Sequence, residues 1–295
     1  MTDRPVAMVI HGGAGPLKGG DYSREVAHMR GLIEAGRDRL NAGERALDVV
    51  TDTIVALEAS GLYVAGRGAS PNSDGRYELD ASLMDGPTRR AGAVASLVGF
   101  RSPIKAARAV MENTPHVMLA GQGAAAFAGR QWLDLIPETP GWFTHAWREA
   151  GKTAAELATG TVGCLALDQS GALAAGTSTG GVFGKLPGRV GDSPIPGAGV
   201  WADDDVAVSC TGVGEMFIRA AVAVQVAHRM RFGGESLASA ADAALAEVLA
   251  LGGEGGLIAL SAKGEVVMPY NSAGMKRAAL YPDGRVVSAV FEDIG

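Results

Sequence analysis

The chain has 295 residues, 47% hydrophobic and 20% charged, with a formal net charge of −6. That balance excludes a disordered or collagen-like chain, and with 5% aromatic residues and no Lys/Arg run there is no electrostatic footprint for nucleic acid or an anionic bilayer. No stretch reaches the ~18 apolar residues of a membrane span, and the apolar run in "MTDRPVAMVIHGGAG" is too short for a signal peptide, so a cytoplasmic protein acting on a small molecule is expected.

In chain order, residues 6–10 read as a strand, and 23–43 and 44–60 as two helices with apolar residues at three-to-four spacing. Residues 61–86 are punctuated by glycine and read as a loop, followed by a strand at 91–100 and short helices near 103–112 and 120–129. From Thr161 the pattern becomes strand, strand, a Gly/Pro loop, a strand at 206–210, helices over 214–232 and 236–251, and strands at 256–262, 265–271 and 286–292. Strand-rich segments with helices gathered beside them, rather than regular alternation, predict an α+β layered sandwich with mostly antiparallel sheets. No linker-like stretch divides the chain, so a single domain over 1–295 is expected. Cys164 and Cys210 sit inside apolar runs and read as buried small hydrophobes rather than a disulfide framework.

The segment "ELATGTVGCLAL" begins a strand on Thr161, with Gly160 behind it and small residues around it. A hairpin turning over Asp168–Gly171 would face Leu167 against Ala172, put Thr161 opposite Ser178, and bring Thr179 within one step. A third hydroxyl, Thr211, ends the strand at 206–210 just before Gly212 and Gly214, whose bare backbone N–H groups at a helix start suit an oxyanion.

Two chemistries compete for this cluster. Gly176-Thr-Ser178-Thr-Gly180 satisfies G-x-S-x-G, and His11-Gly-Gly resembles an oxyanion loop, but a nucleophile elbow needs a helix directly after the serine. The segment beyond the serine, "GVFGKLPGRVGDSPIPGAG", is too rich in Gly and Pro to be helical, and the only downstream histidine, His228, lies mid-helix. The alternative is cleavage of the Gly160–Thr161 bond by the chain itself, after which the freed Thr161 amine, with an ordinary pKa of ~7.7–8.0, serves as general base for its own hydroxyl. Glycine before the threonine permits a strained approach of that hydroxyl to the preceding carbonyl.

Several long motifs in one order resemble the plant-type L-asparaginase/isoaspartyl peptidase family of N-terminal-nucleophile (Ntn) hydrolases: "HGGAG" at 11–15, "ELDASLMDG" at 78–86, "PHVMLAGQGA" at 115–124, "GTVG" at 160–163, "TSTGG" at 177–181, "KLPGRVGDSP" at 185–194 and "SCTGVGE" at 209–215. The resemblance implies a four-layer αββα sandwich, autocleaved into 1–160 and 161–295, paired as a dimer of αβ heterodimers. It implies Thr161 as nucleophile, Thr179 orienting its hydroxyl, and Thr211 with Gly212 as oxyanion hole. Arg189 would hold a substrate α-carboxylate, and Asp192, with the Gly214 carbonyl, an α-ammonium. It also implies a structural sodium ion on the backbone carbonyls of Leu57, Glu58, Ser60, Tyr63, Ala65 and Arg67, and no organic cofactor. The implied reaction is hydrolysis of β-aspartyl dipeptides and L-asparagine, with a glycosylasparaginase-like amidase and an uncleaved amino-acid-binding relative as alternatives.

The sequence departs from the family pattern at Val64, where asparagine is usual, at Gly184 and Lys276, and in a short segment before Gly160. His11 and His116 read as supports of the fold rather than metal ligands.

Overall fold

The computed structural model describes residues 4–137, 141–144 and 160–291. Strands β1 (Ala7–Ala14), β2 (Leu79–Asp85), β3 (Ala91–Leu97), β4 (Met118–Ala120), β5 (Val162–Leu167), β6 (Leu173–Thr179), β11 (Met275–Leu280) and β12 (Val286–Ala289) form one sheet in the order β12-β11-β1-β5-β6-β2-β3-β4. A second sheet runs β10-β9-β8-β7, from β7 (Val200–Ala202), β8 (Val206–Gly212), β9 (Gly255–Ser261) and β10 (Val266–Val267). All the pairings are antiparallel except β3 with β4.

Helices α1 (Ser23–Asn41), α2 (Ala46–Ser60), α3 (Pro103–Asn113) and α4 (Gly121–Arg130) cover one face of the large sheet. Helices α5 (Gly214–Ala220), α6 (Val222–Gly233) and α7 (Leu237–Ala250) cover the outer face of the small one. Alternation along the strands explains the layering. Met8 and Ile10 of β1 pack under the first helices with Ile33, Leu40 and Ile54, whereas Ala7 and Val9 turn to the second sheet, meeting Ile258 and Leu260. A third cluster, with Val208, Phe217, Val226 and Leu257, joins the small sheet to its helices. The result is the expected αββα sandwich, with the catalytic-type hydroxyls at one end of the inter-sheet layer.

Three sequence expectations need correction. The loop read over 61–86 ends in strand β2, because Asp80 and Ser82 fill its inward positions and hide the alternation. Strand β11 is not anticipated, since "MKRAAL" carries Lys276 and Arg277 in place of an apolar period; Arg277 is buried, donating to the carbonyls of Met275, Val290 and Phe291. The helix read over 214–232 breaks at Ala221, at φ +48°, and the amides of Ala223 and Val224 bond the carbonyls of Ala198 and Gly197 instead. No glycine or proline marks that break. Among the described residues no helix is long and apolar enough to cross a membrane.

Candidate active site

The β5–β6 hairpin sets the site, and its register is one residue off the sequence expectation. Leu167 faces Leu173, not Ala172, because the turn is a three-residue loop closed by the Ala172 carbonyl accepting from Asp168 N. Gly171 at φ +87° supplies its left-handed residue, and the Asp168 carboxylate holds the turn by accepting from Ser170 N and Ala172 N. Val162 therefore faces Ser178, and one step further Thr161 lies against Thr179. A one-residue slip reverses every side chain. Thr161 Oγ1 donates to Thr179 Oγ1 at 3.1 Å, and Gly181 N donates to the same oxygen at 3.0 Å. Ser178 turns to the helical side, fully buried, and donates to Glu58 Oε1 at 2.7 Å. The serine of G-x-S-x-G thus has no access to the pocket on the Thr161 face.

Thr161 is clamped from the N-terminal strand. The Thr161 carbonyl accepts from His11 Nδ1 at 3.1 Å, which assigns the ring proton to Nδ1 because a carbonyl only accepts. His11 Nε2 then accepts from Ser209 Oγ at 2.9 Å, and Ser209 in turn bonds Thr177 Oγ1 at 2.7 Å. Burial drives the imidazole pKa down from 6.5 to about 3, so His11 is a neutral bracket. Gly163 lies where any Cβ would overlap Ser209 Oγ and His11 Nε2, and a Cβ on Gly160 would overlap the Val64 side chain. Gly13, at φ +100°, lies so close that a Cβ there would stand 2.7 Å from Gly160 Cα and 3.0 Å from its carbonyl carbon.

Beside Thr161 lies a narrow pocket, lined in part by Thr179, Arg189, Asp192 and Gly212. Arg189, Asp192 and Gly214 lie together: a Cβ on Gly214 would meet Asp192 Oδ1 at 2.9 Å and an Arg189 guanidinium nitrogen at 3.0 Å. Arg189 also makes a two-pronged pair with Glu215, with both N···O distances 2.8 Å. Asp192 is buried, and its Oδ2 has no partner among the described residues. Burial raises its pKa from 3.8 to about 7. Thr211 is fully buried and does not line the pocket; its Oγ1 accepts from Ala14 N at 3.1 Å, which leaves the hydroxyl hydrogen to donate.

The 57–67 loop curls tightly. Gly61 and Gly66 take φ of +71° and +52°, and a Cβ on Gly66 would meet the Glu58 carbonyl at 2.7 Å, while one on Gly68 would overlap the Tyr63 carbonyl. The carbonyls of Leu57, Tyr63 and Ala65 accept from Ser60 Oγ, Ala65 N and Gly68 N, and that of Arg67 accepts from both Thr144 N at 3.0 Å and Thr144 Oγ1 at 3.5 Å. An all-oxygen, uncharged donor set of this kind fits a hard monovalent cation. The Glu58 side chain serves elsewhere, accepting from Ser102 Oγ, Ile104 N and Ser178 Oγ. Among the described residues no group of three or more His, Cys, Asp or Glu is arranged to hold a metal. Much of the short segment leading to Gly160 lies outside the described residues.

Residues 4–288 match the sequence model of the family described as Asparaginase. The chain belongs to this asparaginase family. A relative from Escherichia coli named isoaspartyl peptidase is 45% identical, covering 98% of this chain and 97% of its own. A human isoaspartyl peptidase/L-asparaginase is 39% identical over 98% and 97% respectively. A plant-type L-asparaginase from Pyrobaculum calidifontis is 42% identical over 92% and 95%.

In this asparaginase-family chain, reading the sequence missed the contacts of His11, Ser209 and Thr177 with the Thr161 frame, and the Glu215 partner of Arg189. The missed signals are polar residues at inward strand positions: Thr177 lies two residues before Thr179, and Ser209 two before Thr211, hence on the same faces.

Proposed function

We propose that this protein is a threonine Ntn-hydrolase that cleaves β-aspartyl dipeptides and L-asparagine. The observation that carries the reading is the Thr161–Thr179 hydroxyl contact at the strand start, beside a pocket that joins a buried carboxylate, Asp192, to a guanidinium, Arg189. A zwitterionic aspartyl head requires both charges.

In the proposed mechanism, Thr161 Oγ adds to the Gly160 carbonyl, and an N-to-O acyl shift followed by hydrolysis frees the Thr161 amine. The mature hydroxyl, losing its proton to that amine, attacks the β-amide carbonyl of substrate. The Gly212 N–H, at the pocket wall, is the proposed donor to the developing oxyanion, where a preorganised donor contributes about 3–4 kcal/mol, and the Thr211 hydroxyl, buried behind the lining, joins it only where the cut opens the pocket to that hydroxyl. The amine returns its proton to the leaving nitrogen, and water resolves the threonyl ester. Arg189 takes the α-carboxylate, which competes with Glu215 for the guanidinium, and Asp192 with the Gly214 carbonyl takes the α-ammonium. The 57–67 loop holds a structural sodium ion, with no part in these steps. Dimers of cut protomers are the proposed assembly, read by light scattering.

A panel of β-aspartyl dipeptides, L-asparagine and α-linked aspartyl dipeptides tests the reading. Amino-acid or ammonia release from the β-linked compounds alone, abolished in Thr161→Ala, is the expected result. Hydrolysis of the α-linked controls, or turnover surviving Thr161→Ala, overturns it.

A further inference from the structure

Before the cut, the Thr161 nitrogen is part of a peptide bond, so the residue has no amine to receive its own hydroxyl proton. Some other group must accept it. Thr179 Oγ1 takes the Thr161 hydroxyl hydrogen and the Gly181 N–H, which fills both its lone pairs and leaves its own hydrogen to be donated elsewhere. Directly across the β2–β6 ladder from Thr179 is Asp80. Cross-strand partners project from the same face with Cβ atoms ~4.5–5.5 Å apart.

Asp80 is fully buried. Its Oδ1 accepts from Ser96 N at 2.7 Å, but Oδ2 has no hydrogen-bond partner among the described residues. An orphaned buried carboxylate oxygen on the face of Thr179 is what a bridging water satisfies. Lys185, buried and donating from Nζ to the Glu78 carbonyl at 2.9 Å, supplies the positive charge that favours the Asp80 carboxylate. Burial outweighs that charge and holds the Asp80 pKa above the ordinary range, which makes the carboxylate a stronger base than a surface one.

The other candidates are poorly suited. His11 has both ring nitrogens engaged, and Glu58 bonds Ser178 on the opposite face of the sheet. Asp192 lies against Gly214, on the substrate side of the pocket.

From this geometry we infer that Asp80 is the terminal proton acceptor for self-cleavage, acting through Thr179 and one bridging water. The inference rests on the proposed cut at Gly160–Thr161. As Thr161 Oγ bonds to the Gly160 carbonyl carbon, its proton passes to Thr179 Oγ1, the Thr179 proton passes through the water to Asp80 Oδ2, and the carboxylate becomes the acid. Collapse breaks the C–N bond, and the same route returns the proton to the departing nitrogen. After the cut Thr161 has its own amine, and Asp80 is no longer needed as base.

The test is a time course of cell-free-translated full-length protein on denaturing gels. A positioned base contributes ~10²–10⁴-fold, so Asp80→Asn, which keeps an acceptor for Ser96 N, should slow the cut at least ~10²-fold. The turnover of its cut fraction should stay within about threefold of wild type, because the amine takes over the base role. Asp80→Asn should add nothing in a Thr179→Val background. Wild-type cutting speed in Asp80→Asn, an additive effect with Thr179→Val, or an equal loss of cutting and turnover overturns the inference while leaving the proposed reaction intact. A wild-type chain that never cuts removes both. A crystal structure supplies a check that needs no variant: Asp80 Oδ2 and Thr179 Oγ1 should share a water, and Lys185 Nζ closing Oδ2 off from Thr179 contradicts the route.

Discussion

Gly13→Ala gives a direct reading of how tightly the cleavage junction is held. The new Cβ would lie 2.7 Å from Gly160 Cα and 3.0 Å from its carbonyl carbon, backbone atoms that no rotamer change can move aside. Ordinary carbon–carbon contact is ~3.5–4.0 Å, so the junction must retreat by close to ~1 Å. A misplacement of ~1 Å costs on the order of 10²-fold in rate when it falls on reacting atoms. Gly13 also has φ +100°, so the alanine carries a backbone penalty of ~1–3 kcal/mol that lowers stability by itself. Gly99→Ala separates the two effects: φ there is +91°, but a Cβ meets nothing within 4 Å. Both variants should melt earlier than wild type, Gly13→Ala the more because its Cβ also overpacks the junction, and only Gly13→Ala should cut ~10²-fold more slowly on a gel time course. Equal cutting rates in the two variants refute the claim that close packing against Gly160 positions the bond.

Only an ionised Asp192 grips an ammonium, and only a neutral Thr161 amine acts as base, so kcat/KM should rise about tenfold per pH unit below the ordinary amine pKa of ~7.7–8.0, steepen to about a hundredfold per unit below the Asp192 pKa of about 7, and level off above ~8. Asp192→Asn should remove the steeper limb and raise KM. The stability sign is opposite: with the folded pKa raised above 3.8, the folded chain binds more protons between ~4 and ~7, so Asp192 lowers stability as pH rises through that window, an effect urea titrations should find absent in Asp192→Asn. Ser178→Ala should leave turnover intact while costing about 1–3 kcal/mol in urea melts, for the lost bond to Glu58; loss of turnover would favour the serine-hydrolase reading instead. Replacing choline chloride with sodium chloride at equal ionic strength should raise Tm if the 57–67 carbonyls hold sodium, and an unchanged Tm rejects that site.

The layered fold is legible because its two longest helices, α1 and α2, and the β5–β6 hairpin carry clean periods, whereas the elements that escape a sequence reading break them for identifiable reasons. Strand β2 hides behind Asp80 and Ser82, polar residues whose partners come from distant segments: Ser96 N for Asp80, and the Ser193 carbonyl for Ser82. The hydroxyl cluster can be read from spacing along one hairpin, but the turn type cannot be fixed that way. The one-residue shift of register, Leu167 against Leu173 rather than Ala172, moves Thr161 from Ser178 to Thr179 and leaves Ser178 on the helical side. The Arg189–Glu215 pair spans 26 residues and the His11–Ser209 bond 198, separations at which local pattern has no purchase. Motif resemblance supplies the proposed roles of Arg189 and Asp192, and the structure adds that Asp192 is buried with an Oδ2 that has no partner among the described residues, which supports the proposed ammonium contact.

Mass spectrometry and N-terminal sequencing of purified, active protein test the central claim most directly. Two chains are expected, the C-terminal one beginning Thr161-Val-Gly-Cys, together with an intact and inactive Thr161→Ala chain. Full turnover by a polypeptide still continuous across Gly160 and Thr161 would contradict the account.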